Sequence, residues 1–189
     1  TFLKSLVRRG LKEVKLVISD AHDGLKHAAA KVLKATWQRC RVHWMRNALA
    51  HVAKGQHTMV AAALRQAFLQ TDQPAARQTW RQVADQLRPR WPKLANLMDE
   101  SEHDVLAYLA FPATHRTKIR TNNVQERANR EIKRRTRVVQ GFPSRESLIR
   151  LVGAALIEAD EEWSARCVIS RPSLAHAWKA QEREAPGEA

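Results

Sequence analysis

Cysteine is nearly missing from this sequence. Cys40 and Cys167 are the only two, too few for a disulfide framework and in keeping with a reducing compartment. Long apolar runs are missing as well. No stretch approaches the roughly 18 residues of a membrane span, so no membrane partner is expected. The opening TFLKSLVRRGLKEVK has no apolar core followed by a small-residue cleavage site and does not read as a signal peptide. Acid is scarce: 19 Asp and Glu face 33 Lys and Arg, a net charge of +14. Large apolar side chains are absent from Lys179 to Ala189, and this tail (179–189) is expected to be disordered.

The charge that is present is concentrated. From Arg116 to Arg137 there are nine basic residues and two acidic ones, a net of +7 and half the chain's total. Such a field repels itself unless a polyanion or the fold's own acids answer it, which points to nucleic acid. Glu126 is held inside this field. A solvated basic helix with an ordinary glutamate is the plain alternative.

Element signals divide the 189 residues. Phe2, Leu3, Leu6 and Val7 share a helical face that Gly10 ends. Val14–Ser19 reads as a strand, apolar on both faces over part of its length, as in an α/β sheet. Asp20 follows at its carboxyl end, where open α/β sheets place ligands. Its plain role is a helix N-cap, with Asp23 as competitor. Leu25–Leu33 reads as a helix. Thr36–Trp44 reads as a second strand, with Cys40 and Val42 on one side and Arg39, Arg41 and His43 on the other. From Met45 to Phe111 helical spacing continues without a convincing strand. Asn123 and Glu126 have capping-box spacing for a helix with Val124, Ala128 and Ile132 along one seam. Ser144 is placed to cap a long helix with Leu148, Leu151, Val152, Ala155, Leu156 and Ala159 inward.

Three constellations carry chemistry. Asp20 and Glu126 are oxygen donors suited to Mg²⁺ or Mn²⁺. Cys40 and His43 form a Cys-x-x-His pair, two ligands where a zinc site needs more; Cys167, His22 or His51 are the candidates to complete it. Trp37 and Trp44 lie among Arg39, Arg41 and His43 and either stack an unpaired base or pack in the core. Trp80 and Trp163 fall on apolar helical faces and are expected in the core.

The blocks SDAHDGLKHAAAKVL (19–33), WQRCRVHWMRNAL (37–49) and TNNVQERANREIKRRTRVVQGFPSRESLIRLVGAAL (121–156), followed by WSARCVIS (163–170), resemble in order and spacing the Mutator-like bacterial insertion-sequence transposases. The resemblance implies an α/β fold: a partial ribonuclease-H-like core over 1–44, a helical insertion over 45–111 and the C-terminal part of the catalytic core over 112–178. It implies a DDE-type triad that cuts and joins DNA with Mg²⁺ or Mn²⁺. Asp20 matches the second aspartate and Glu126 the glutamate, both as metal ligands. Cys40, His43 and Asn123 match positions taken as structural or DNA-positioning. Arg130, Lys133, Arg134, Arg135, Arg137, Arg39 and Arg41 are expected to contact DNA. The implied partners are double-stranded DNA, at element ends and target, and further copies of the protein in a synaptic complex; the implied location is the bacterial cytoplasm, at the nucleoid.

The sequence departs from the family pattern at one important place. The family's first aspartate lies upstream of the SDAHDGL block, and Glu13 is the only acid before Asp20 here. The chain is therefore expected to be the C-terminal part of a transposase and inactive alone. The competing readings are a non-catalytic DNA-binding or complex-forming remnant, and a helical interaction protein.

Overall fold

The computed structural model describes residues 2–166 together with Pro172 and Ala175. The expected tail 179–189, Cys167 to Ser170 of the last family block, and Trp178 lie outside the described residues. Two compact units are present; the first runs to Thr121 and the second begins at Asn122.

The first unit opens with α1 (Phe2–Arg8), which ends at Gly10 in a left-handed conformation (φ 104°). Strands β1 (Leu16–Ser19) and β2 (Thr36–Arg39) form a two-stranded parallel sheet, with Leu16 opposite Thr36 and Ser19 opposite Arg39. β1 is half-buried along its whole length, so the burial on both faces expected from Val17 is only partial. The crossover is α2 (Asp23–Ala28), widened into a π-helical stretch, Ala29–Leu33, that Lys34 closes in the left-handed region. The helix expected over Leu25–Leu33 thus starts two residues earlier, at Asp23, ends where expected and is π-helical in its last turn.

The strand reading of 36–44 holds only to Arg39. Arg41–Leu49 is helix α3, with Cys40 at its N-cap. Alternation of apolar and basic residues competes here with the i, i+4 pair Trp44 and Ala48, both fully buried. Burial of the indole decides the outcome. The following elements are helical: α4 (His57–Leu69), α5 (Gln73–Leu87), α6 (Pro92–Leu106), a 3₁₀ turn (Ala107–Ala110) and α7 (Ala113–Ile119). Asp72 caps α5 by accepting from the Ala75 N–H at 2.8 Å, with Pro74 in the first turn.

Trp44, Trp80 and Phe68 nucleate the core. The two indoles lie 4.7 Å apart by ring centroids, and Phe68 meets Trp80 edge-on at 5.8 Å. Leu64, Val83, Leu94, Met98 and Val105 close around them. Both indole N–H groups are satisfied, Trp44 by Ser101 Oγ at 2.7 Å and Trp80 by the Met98 carbonyl at 2.9 Å. Trp44 is therefore a packing residue and does not stack a base. Trp37 is also buried; its N–H donates to Ser19 Oγ, and the Lys26 ammonium covers its ring at 5.3 Å.

The second unit contains α8 (Asn123–Val139) and α9 (Arg145–Arg166), which pack together. α8 starts one residue earlier than the capping-box reading implies: Asn122 holds the N-cap position and Asn123 is already helical. Ala128 is buried and Ile132 half-buried, whereas Val124 is exposed. On α9, Ala155 is buried and Leu148, Leu151, Val152 and Ala159 are half-buried, but Leu156 is exposed. Trp163 is half-buried rather than core. Ser144 does cap α9, its Oγ accepting from the Ser147 N–H at 3.2 Å.

Candidate metal centre and basic helix

Parallel pairing places the carboxyl ends of β1 and β2 side by side. The Cys40 N–H extends the ladder, donating to the Ser19 carbonyl at 2.7 Å. Asp20 and Cys40, the residues just past the two strands, are thereby neighbours. The first turn of α3 then brings His43 back over Cys40, because positions three apart share a helix face. On a strand those two side chains would point to opposite faces. The change from strand to helix at Cys40 thus brings the Cys-x-x-His pair together.

The outcome is a cluster of Asp20, Cys40 and His43 whose donor atoms all lie within 4.8 Å of one another. His43 Nδ1 contacts Asp20 Oδ1. Cys40 is a buried free thiol, and the Asp20 side chain is 54% exposed. Of the candidates from sequence, neither His22 nor His51 is in the cluster, and Cys167 lies outside the described residues. His22 instead caps α2, its Nδ1 accepting from the Leu25 N–H at 3.1 Å. A Cβ at position 24 would stand 3.1 Å from the His22 ring, so Gly24 makes room for that cap. Neither Asp20 nor Asp23 is the cap, which leaves the Asp20 carboxylate for another role.

Arg39 and Arg41 are both half-buried. Burial lowers the Arg39 pKa, and the Asp104 and Asp20 carboxylates oppose that shift. Arg39 thus lies within the electrostatic reach of Asp20. Burial lowers the Arg41 pKa too, with Arg120 adding to the effect and Tyr108 opposing it. The Arg41 guanidinium sits 4.6 Å from the Phe68 ring centroid, against the core.

Glu126 lies in the first turn of α8, where the helix dipole favours an acid, and is half-buried. Arg130, Lys133 and Arg137 are exposed. Arg134 and Arg135 are engaged in ion pairs. Arg134 holds both Glu131 oxygens at 2.7 and 2.9 Å, and Arg135 bridges Glu131 at 2.8 Å to Glu158 at 2.5 Å. Hydrogen bonds from Arg134 and then Arg135 pull the Glu131 pKa down to about 2. Glu158, in an acidic stretch of α9, thus has a basic partner in Arg135. Arg116 is also used internally: it donates to the Phe111 and Leu109 carbonyls, each at 2.8 Å, and to the Thr71 carbonyl. No local sequence signal marks that clamp.

The family description "Transposase, Mutator family" matches residues 1–166. This chain belongs to the Mutator transposase family. Among its relatives, the transposase for insertion sequence element IS1081 of Mycobacterium tuberculosis is 44% identical over 163 residues, covering 86% of this chain and 39% of the relative. The transposase for IS406 of Burkholderia multivorans is 42% identical over 164 residues, covering 86% of this chain and 42% of the relative. The transposase for IS256 in transposon Tn4001 of Staphylococcus aureus is 34% identical over 166 residues, covering 86% and 42%. The chain therefore spans about two fifths of the length of these Mutator-family relatives. Among the described residues no helix is long and apolar enough to cross a membrane.

Proposed function

We propose that this chain is the C-terminal part of the catalytic region of a DDE transposase, working within a longer polypeptide that cuts and joins DNA strands with Mg²⁺ or Mn²⁺. The observation that carries the reading is Asp20. It belongs to a Mutator-family match, follows directly on a parallel strand, is half exposed and has no capping duty.

Asp20 and Glu126 are the two carboxylates this chain contributes as ligands. An accessible carboxylate fits a hard cation that keeps waters and substrate phosphates in its shell. Bound ions of this kind supply positive charge at the attacking and leaving oxygens of an in-line displacement at phosphorus. Arg39 offsets the Asp20 charge, and Arg130, Lys133 and Arg137 bind backbone phosphates without reading sequence. Asn123 opens the helix that carries Glu126. Residues 1–44 and 112–178 form parts of a ribonuclease-H-like core, and 45–111 is its helical insertion. Joining two element ends to a target implies more than one copy of the protein on DNA.

In the full-length protein, Glu126→Gln abolishes strand transfer and leaves binding to element ends intact. Wild-type cleavage by E126Q would remove Glu126 from the site. The 189-residue chain alone joins no DNA, since Glu13 is the only acid before Asp20. Asp20-dependent joining by that chain would refute this. A non-catalytic DNA-binding remnant is the second reading; it requires E126Q to be silent in every DNA assay.

A further inference from the structure

α9 carries apolar side chains on two sides. Ala155 is buried on the side that meets α8, with Leu148, Leu151 and Ala159 half-buried beside it. On the other side Ile149 is 56% exposed and Leu156 44%, with Gly153 between them. A helix that is apolar all round is a helix covered all round. We propose that this second face pairs with the same face of a second copy of the chain, the two α9 helices running antiparallel about a two-fold axis between Val152 and Gly153. Such a pair gives a contact to the several copies that joining two element ends implies, and it needs none of the metal chemistry.

The order of residues along α9 is self-complementary. Ile149 and Leu156 stand at equal distances on either side of the midpoint between Val152 and Gly153, and so do Arg145 and Asp160. The two-fold therefore sets Ile149 against the partner's Leu156 and Arg145 against the partner's Asp160, and repeats both contacts on the other side of the axis. Apolar contact lies at the centre and opposite charges lie at the rim. A parallel pair would instead set Arg145 against Arg145 and Asp160 against Asp160, with like charges together. Arg145 and Asp160 are both exposed. Among the described residues neither joins the ion pairs of this unit, which are Glu131 with Arg134 and Arg135, and Glu158 with Arg135. Gly153 fits the same geometry. A glycine in mid-helix weakens the helix relative to alanine. Among the described residues, no neighbour from elsewhere in the fold lies within 4 Å of where its Cβ would stand, so packing within the chain does not require it. Close approach of a second helix does, since the distance between two helix axes depends on the side chains at their contact.

The test is sedimentation equilibrium of the 189-residue chain over a range of concentrations at low salt. One helix face from each copy is smaller than a standard interface, so a reversible dimer with a Kd of about 1–100 µM is expected. Arg145→Asp and Asp160→Arg each bring like charges together and raise Kd at least about tenfold. The double variant R145D/D160R restores opposite charges and returns Kd to within about threefold of wild type. Gly153→Leu keeps helicity by circular dichroism and raises Kd at least about tenfold, because its side chain holds the backbones apart. A chain still monomeric at about 500 µM overturns the pairing and gives this face to another segment of the longer polypeptide. A dimer that R145D, D160R or G153L leaves unchanged overturns it too, as does a double variant that fails to recover. E126Q is read by strand transfer and lies outside α9, so its outcome is separate from all of these.

Discussion

Gln38 is fully buried, and both ends of its amide have partners. Its Oε1 accepts from the Tyr108 N–H at 2.7 Å; its Nε2 donates to the Arg39 carbonyl at 2.7 Å and the Val105 carbonyl at 2.9 Å. The side chain thus stitches β2 to the end of α6 and the turn after it. Gln38→Leu keeps the volume but strands those backbone groups in the interior, at about 1–3 kcal/mol for each group left unpaired. With three such groups, the variant is expected to lose at least about 3 kcal/mol in urea unfolding followed by tryptophan fluorescence. A loss below about 1 kcal/mol would mean that water replaces the amide. Asp20 was legible at this scale, because a β-branched run ending in an acid marks a strand terminus. His22 as the cap was not, since histidine is an uncommon N-cap and two aspartates beside it are better ones by residue type.

At the scale of elements, α8 reads two ways along its length. Arg134 and Arg135 answer Glu131 and Glu158, while Arg130, Lys133 and Arg137 remain exposed. The Glu131 pKa is depressed to about 2 by its arginine partners. A depressed carboxylate contributes stability that is complete above its unfolded value, near 4.5, and is lost as pH falls through about 2. Helicity of the second unit should therefore decline across that acid window in the native protein, and Glu131→Gln should remove this component. A carboxyl NMR titration placing Glu131 near 4.5 would contradict the assignment.

The start of α9 was legible, because Ser144 stands as a capping residue ahead of the apolar spacing of Leu148, Leu151, Val152 and Ala155. The segment 40–49 was not, because alternating basic residues imitate a strand and only the three-dimensional aromatic cluster shows why Trp44 must turn inward. The same ambiguity hid the convergence of Asp20, Cys40 and His43, since Cys40 and His43 meet only on a helix.

For the molecule as a whole, a charge of +14 overstates what a polyanion can meet. Arg116 holds internal carbonyls, Arg41 lies against Phe68, and Arg134 and Arg135 have acidic partners. Neutralising Arg130, Lys133 and Arg137 together should flatten the salt dependence of DNA binding by about 2–3 in the log–log slope. Neutralising Arg134 and Arg135 should change it less. Equal slopes for the two variants would mean that the ion pairs open on DNA. The π-helical stretch between the strands has a separate bearing on how the crossover fits the sheet. Ala35 N–H still reaches the Ala29 carbonyl at 3.4 Å, so the wide turn carries a surplus residue and returns the chain in time for Thr36 to meet Leu16. Spare length in that crossover is taken up before Lys34, so the wide turn rather than the sheet absorbs the mismatch between helix length and strand register.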